Sequence, residues 1–245
     1  MTTTDQQLPQ RFGLAMDTHF AKTGTAYLLR LIARLDQQQL AQPSLLPGWT
    51  RGHILAHVGY NARALSRLLK WARTGQELPM YSSPEQRHNE IEYGATLSIY
   101  ALRSLIAHSD VALSTAWRTL PPDRWSFPIR TAQGRAVSVS ETAWMRAREV
   151  WIHAVDLNTA GSFSDFPPAF TDALIGDVIQ TWRRRGQDLT INLTPVDRDW
   201  RITADVDTDG SATGTAADIA RWLTGRGRHN IQLRQRQAPV LPTWL

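Results

Sequence analysis

The chain of 245 residues contains no cysteine. That excludes disulfides, zinc–thiolate sites and a cysteine nucleophile. Any thiol chemistry must therefore use a sulfur that arrives as a separate molecule. Lysine is nearly missing as well. Only Lys22 and Lys70 stand among the 27 basic residues, so arginine carries the net charge of +5. A forked guanidinium suits carboxylate or phosphate, but most of this excess reads as genome composition. The run "WRRRG" (Trp182–Gly186) reads as a solvated helix end. No basic stripe with a recognisable motif accompanies it, so nucleic acid is not an expected partner. Long apolar runs are absent too: no stretch approaches the roughly 20 residues of a membrane span. The opening "MTTTDQQLPQ" lacks the basic-then-apolar layout of a signal peptide. A soluble, cytoplasmic protein without a membrane partner is the expectation.

Against these absences stand a hydrophobic share of 42% and ten tryptophans, the composition of a well-packed globular protein. The length suits one large domain or two small ones. Apolar residues at helical spacing predict a long helix over 11–40, with Leu28, Leu31, Ile32 and Leu35 on one face. "PSLLPGW" (Pro43–Trp49) breaks it. Thr50 suits the N-cap of a second helix over 50–73. Further helices are expected around 84–93, 98–118 and 138–157. "FPIRTAQGRAVSVSE" before the last of these reads as a short hairpin or an extended loop.

"TAGSFSDFPP" (Thr159–Pro168) marks a boundary. Beyond it a helix is expected over 169–184. "DLTINLTPV", "DWRITADV" and "HNIQLRQR" alternate as half-buried strands do. "TDGSATGTA" reads as a turn, and "AADIARWLTGR" as an amphipathic helix. The fold class is thus α+β: a helical bundle over 1–160 followed by a small α+β domain over 161–245.

Two stretches carry candidate chemistry. "GWTRGHILAHVGYN" offers His53 and His57, and "REVWIHAVD" offers Glu149 and His153. Residues four apart share one face of a helix, so Glu149 and His153 can reach one ion. One histidine from a neighbouring helix completes a two-histidine, one-glutamate set. Such a set leaves a fourth position open, as catalytic zinc sites do, and bundle interiors are places where facing helices build them. The bland alternatives are a solvated helix face and core histidines with satisfied nitrogens. The apolar setting of Glu149 weighs against the first, because an unpaired carboxylate is costly to bury. Spacing does not choose between His53 and His57. Asp156, one turn beyond His153, suits a cap, a salt bridge or the orientation of a ligand. Trp49 and Trp144 read as core; Arg51 and Arg87 suit the binding of carboxylates or of a thiol cofactor, but a surface role is the preferred reading. His19, His88, His108 and His229 have no company that suggests ligation.

"LLPGWTRGHILAHVGYNARAL", "WARTGQELPMYSSPE", "TAQGR", "WMRAREVWIHAVDL", "WLTGRG" and the closing "TWL" closely resemble the mycothiol-dependent maleylpyruvate isomerases of actinobacteria. The resemblance spans nearly the whole chain and includes loops that packing alone does not dictate. It implies a DinB-like four-helix bundle with a sterol-carrier-like C-terminal domain. It implies a divalent metal, zinc by the donor set, on His57, Glu149 and His153. It also implies an essential arginine, here Arg226, delivered to the metal cleft by the second domain. Without the resemblance, Arg226 reads as a helix C-terminal arginine beside the stop glycines Gly225 and Gly227.

The implied reaction is the conversion of maleylpyruvate to fumarylpyruvate in gentisate degradation. A carbon–carbon double bond does not rotate at ambient temperature, so a nucleophile must add, let the bond turn, and leave. A metal-activated thiolate does this, and the cysteine-free chain needs mycothiol to supply it. The expected partners are a small dicarboxylate substrate and a low-molecular-weight thiol. The alternatives are a mycothiol or bacillithiol S-transferase on another electrophile, and a non-catalytic metal-binding regulatory module.

Overall fold

A computed structural model describes residues 8–234 and 239–244. The chain forms two compact units, one spanning Phe12–Gly161 and one containing the residues from Ser162 onward together with those before Phe12. In the second unit the carbonyl of Pro9 packs so tightly on Gly176 that a Cβ there would overlap it.

The first unit is a bundle of α1 (Leu14–Ile32), α2 (Arg51–Thr74), α4 (Ile99–Thr119) and α5 (Glu141–Asp156), with the shorter α3 (Pro84–Ala95) laid on α2. α1 packs along α5, α2 along α4, and α2 also meets α5. Start and stop signals are local. Thr50, Ser83 and Ser98 each accept a backbone N–H of the turn they open, and Pro84 stands in the first turn of α3. Gly75, at φ 75°, closes α2 in the left-handed region.

The helix predicted over 11–40 stops at Ile32, followed by a 3-10 turn at Gln38–Ala41. Two causes are visible. The backbone N–H groups of Asp36 and Gln39 donate to each other's side chains, both at 2.9 Å, which competes with helix continuation. The Arg103 guanidinium takes the freed carbonyls of Ile32, Ala33 and Leu35. "FPIRTAQGRAVSVSE" resolves as an antiparallel hairpin, β1 (Pro128–Arg130) with β2 (Ala136–Ser138).

Close approach places α5. A Cβ on Gly24 of α1 would meet Val150 at 2.5 Å and Trp151 at 2.7 Å, so only glycine lets α5 lie this near. The Trp151 indole stacks on Tyr27 at 5.0 Å and donates to the carbonyl of Phe20 at 2.9 Å. Arg146, fully buried on α5, donates to the carbonyl of Val58 on α2 at 2.8 Å. That bond ties α5 to α2 one residue beyond His57 and one turn before Glu149.

The second unit holds α6 (Pro168–Arg184), α7 (Ala216–Leu223) and a three-stranded sheet ordered β3 (Asn192–Pro195), β4 (Ser211–Gly214), β5 (Gln232–Arg234). β3 and β4 run parallel, and β5 is antiparallel to β4. Two readings of the sequence are corrected here. "DWRITADV" contributes only an isolated bridge, Ile202 to Leu193, because side chains capture the neighbouring backbone. Asn192 accepts from Ala204 N–H and donates to the carbonyls of Thr208 and Gly210, while Asp205 accepts from Leu189 N–H. "TDGSATGTA", read as a turn, contains the central strand β4 instead. Its Gly214 marks a close approach, since a Cβ there would meet Ile231 at 2.7 Å. The final strand is shorter than 229–236 on its N-terminal side, and residues 235 and 236 lie outside the described residues. "WRRRG" is the end of α6, as expected, with Arg183 paired to Asp205. Among the described residues no helix is long and apolar enough to cross a membrane.

Candidate metal centre

Two helices of the bundle bring three side chains to one point. His57 comes from the second turn of α2, and Glu149 and His153 from successive turns of α5. His57 Nε2 lies 2.8 Å and His153 Nε2 3.2 Å from the same oxygen, Glu149 Oε2. The two imidazoles meet edge to face at 4.8 Å. One donor atom from each of the three residues falls within 4.8 Å of the other two. Among the described residues this is the group of His, Asp and Glu compact enough for an ion.

The donor set fits a divalent cation. It comprises two imidazole nitrogens and one carboxylate, with room for a further ligand. The outer partners fit as well. The buried Asp156 accepts from His153 Nδ1 at 2.9 Å, leaving Nε2 to face the cluster. The peptide N–H of Leu45 bonds the Asp156 carbonyl at 2.9 Å, which ties the loop before α2 to the end of α5.

Charges within the cluster are unevenly held. Burial pushes the His57 pKa down, against the pull of Glu149, so this ring stays neutral. Burial alone would raise Glu149, but the two imidazoles outweigh it and hold the carboxyl well below its usual range. Burial disfavours the charged form of His153 too, yet Asp156 and Glu149 prevail and raise it to about 9. The ion-free cluster is thus an imidazolium and a neutral imidazole sharing one carboxylate.

His53 is not part of the cluster. Its Nδ1 accepts from Thr50 N–H at 3.2 Å while its own N–H bonds the Thr50 hydroxyl, a capping box that opens α2. Its Nε2 lies 3.5 Å from Glu92. Trp144 is core, but Trp49 is only half-buried, its indole set edge-on to His57 at 5.5 Å. Arg51 is buried and structural: Nε donates to Leu157 O at 2.8 Å and Nη2 to Asn158 O at 2.6 Å, capping the end of α5. His108 Nδ1 bonds the carbonyl of Ser104 in its own helix at 2.8 Å, and His88 Nδ1 stands 4.0 Å from Glu92 of its own helix. Arg226 follows α7, and its guanidinium donates to the carbonyl of Thr224 at 2.6 Å.

Two further residues flank the cluster. Arg87, on the first turn of α3, directs Nη2 to His57 Nδ1 at 3.5 Å rather than standing free on the surface. Tyr81, in the loop before α3, lies within electrostatic reach of Glu149. Burial and that carboxylate push its phenol up to about 12, so it remains a proton donor. The sequence offers Arg87 as a carboxylate binder, set behind a surface role, and its approach to His57 favours the first reading; nothing periodic in "PMYSSPEQR" points to Tyr81.

Fold and centre together define a class: α+β proteins whose helical bundle presents a two-histidine, one-glutamate ligand set. Comparison with known proteins narrows it. The family model described as the mycothiol maleylpyruvate isomerase N-terminal domain matches residues 21–158. This chain belongs to that family. A crystal structure of the mycothiol-dependent maleylpyruvate isomerase is 41% identical over the full length of both chains, with a TM-score of 0.88. A histidine-to-alanine mutant of that enzyme is 40% identical over the same extent, also at 0.88. No curated protein matches the chain.

Proposed function

We propose that this chain is a mycothiol-dependent cis–trans isomerase converting maleylpyruvate to fumarylpyruvate, working in the cytoplasm on the gentisate route. The observation that carries the reading is the convergence of His57, Glu149 and His153 on one point, in a chain alignable end to end with an enzyme of that activity.

His57, Glu149 and His153 hold the divalent cation, with zinc favoured by the donor types. A divalent cation at this point supplies a lowered proton affinity for a thiol beside it, so that sulfur is available as thiolate near neutral pH. Glu149 offsets the cation's charge and accepts no proton itself, being held ionised by its two histidine neighbours. Asp156 fixes the His153 tautomer and ring orientation through Nδ1. Tyr81, its phenol raised to about 12, keeps its proton near neutral pH and is available to donate to an oxygen of the bound substrate.

Charge develops on the keto-conjugated oxygens of the substrate as the double bond loses its order. We assign Arg226 to that charge or to a substrate carboxylate. One well-placed donor of this kind is worth about 3 kcal/mol.

The test is the loss of maleylpyruvate absorbance with and without added mycothiol. Turnover indifferent to the thiol would end this reading. Faster turnover of a different electrophile, with conjugation to the thiol, would replace isomerisation by S-transfer.

A further inference from the structure

We infer that Arg87 is the carboxylate-binding residue of the helical unit, the group that seats one end of the dianionic substrate beside the metal ligands. The inference rests on the isomerase reading for the identity of the substrate, and on the geometry of Arg87 for the site.

Buried and half-buried arginines elsewhere in this unit have acceptors within the chain. Arg51 caps α5 through the carbonyls of Leu157 and Asn158. Arg67 bonds the carbonyl of Met80. Arg103 gathers three carbonyls at the end of α1. Arg146 takes Val58 O and faces Asp110 at 3.9 Å. Arg87 differs. Among the described residues its guanidinium has one side-chain partner, His57 Nδ1 at 3.5 Å, and no carboxylate in salt-bridge range. A half-buried cation without an anion is unfavourable, and this one faces a cluster built to hold a second cation.

The partner it has is a poor one: an imidazole nitrogen at 3.5 Å is at the limit of a hydrogen bond. That contact leaves most of the guanidinium's five N–H donors without an acceptor among the described residues. A planar carboxylate matches that fork bidentately. The substrate has two carboxylates, and Arg87 is matched to one of them.

The experiment compares wild type with Arg87→Lys and Arg87→Met, each loaded with zinc and assayed for metal content. Arg87→Met should retain full zinc, raise KM for maleylpyruvate by about 10- to 100-fold and leave KM for mycothiol unchanged. Arg87→Lys should fall between, keeping the charge but losing the fork. Calorimetric titration with maleate, a cis dicarboxylate, in the absence of any thiol reads the same site without turnover. Maleate should bind the wild type and lose affinity about 10-fold or more in Arg87→Met, even if maleylpyruvate is not turned over. That last combination would sink the isomerase reading and keep the carboxylate site. A raised KM for mycothiol alone would overturn the inference in favour of a thiol anchor. Loss of zinc from Arg87→Met would overturn it in favour of a prop for His57.

Discussion

The first two turns of α2 carry histidines four residues apart in one motif, and the structure gives them unrelated work. In the first turn His53 bonds back to Thr50 and closes the helix end. In the second, His57 turns inward, 2.8 Å from a carboxylate on another helix. Both lie in the single stretch "GHILAHVG". The difference is what stands opposite. His53 meets its own N-cap and the partly exposed Glu92, while His57 meets α5. A residue type announces a capacity, and the neighbouring helix decides its use.

The strongest way to break the contrast is to remove a ligand. His57→Ala or Glu149→Gln should weaken zinc binding by more than about 100-fold, the upper range for losing an outer partner. Metal analysis after gel filtration checks this. Full zinc content in His57→Ala would return His53 to consideration. Next in size, Asp156→Asn should reduce zinc affinity about 10- to 100-fold, through a misoriented His153 rather than a lost ligand.

Acidity sharpens the contrast further. His153 is raised to about 9 in the ion-free protein, so binding through Nε2 must displace a proton. Apparent zinc affinity should climb up to about tenfold per pH unit approaching that value, with a proton released on binding. A pH-independent affinity between 7 and 9 would contradict the ligand role. The same shift sets a stability window for the ion-free protein. The folded pKa lies above the ordinary histidine value of 6.5, so its contribution is complete below about 6.5 and fades as pH rises through about 9. Thermal melts of chelator-treated protein should show that fade, and Asp156→Asn should diminish it.

The smallest effect belongs to His53. His53→Ala removes half of a capping box, and should cost about 1 kcal/mol, or roughly 2–4 °C in Tm. Zinc content and turnover should stay as in the wild type. A His53→Ala protein deficient in zinc would erase the distinction between the two turns.

Much of the helical unit could be read in advance. Thr50, read as an N-cap, acts at the end of its helix through a bond to adjacent backbone, and adjacent residues are what a sequence displays. Glu149 and His153 were legible for the same reason, being one turn apart. The second unit was less so. "SATG" became the central strand and "DWRITADV" did not, because Asn192 and Asp205 claimed the loop backbone from a distance of ten or more residues. Such side-chain capture leaves no period in the sequence. Arg51 and Trp49 were misjudged similarly: one caps a helix 106 residues away, and the other leans on a ligand instead of entering the core.

The sequence by itself determined the inventory. No cysteine, a Glu–His pair on one helical face and two histidines on another limit the chemistry to a borrowed sulfur and an oxygen–nitrogen ligand set. Tertiary structure decided which histidine faces the glutamate and which arginine lacks an anion. Both depend on where α5 and α3 lie against α2. Those placements follow from close contacts such as Gly24 on Val150 and Arg146 on Val58, made between residues far apart in the chain.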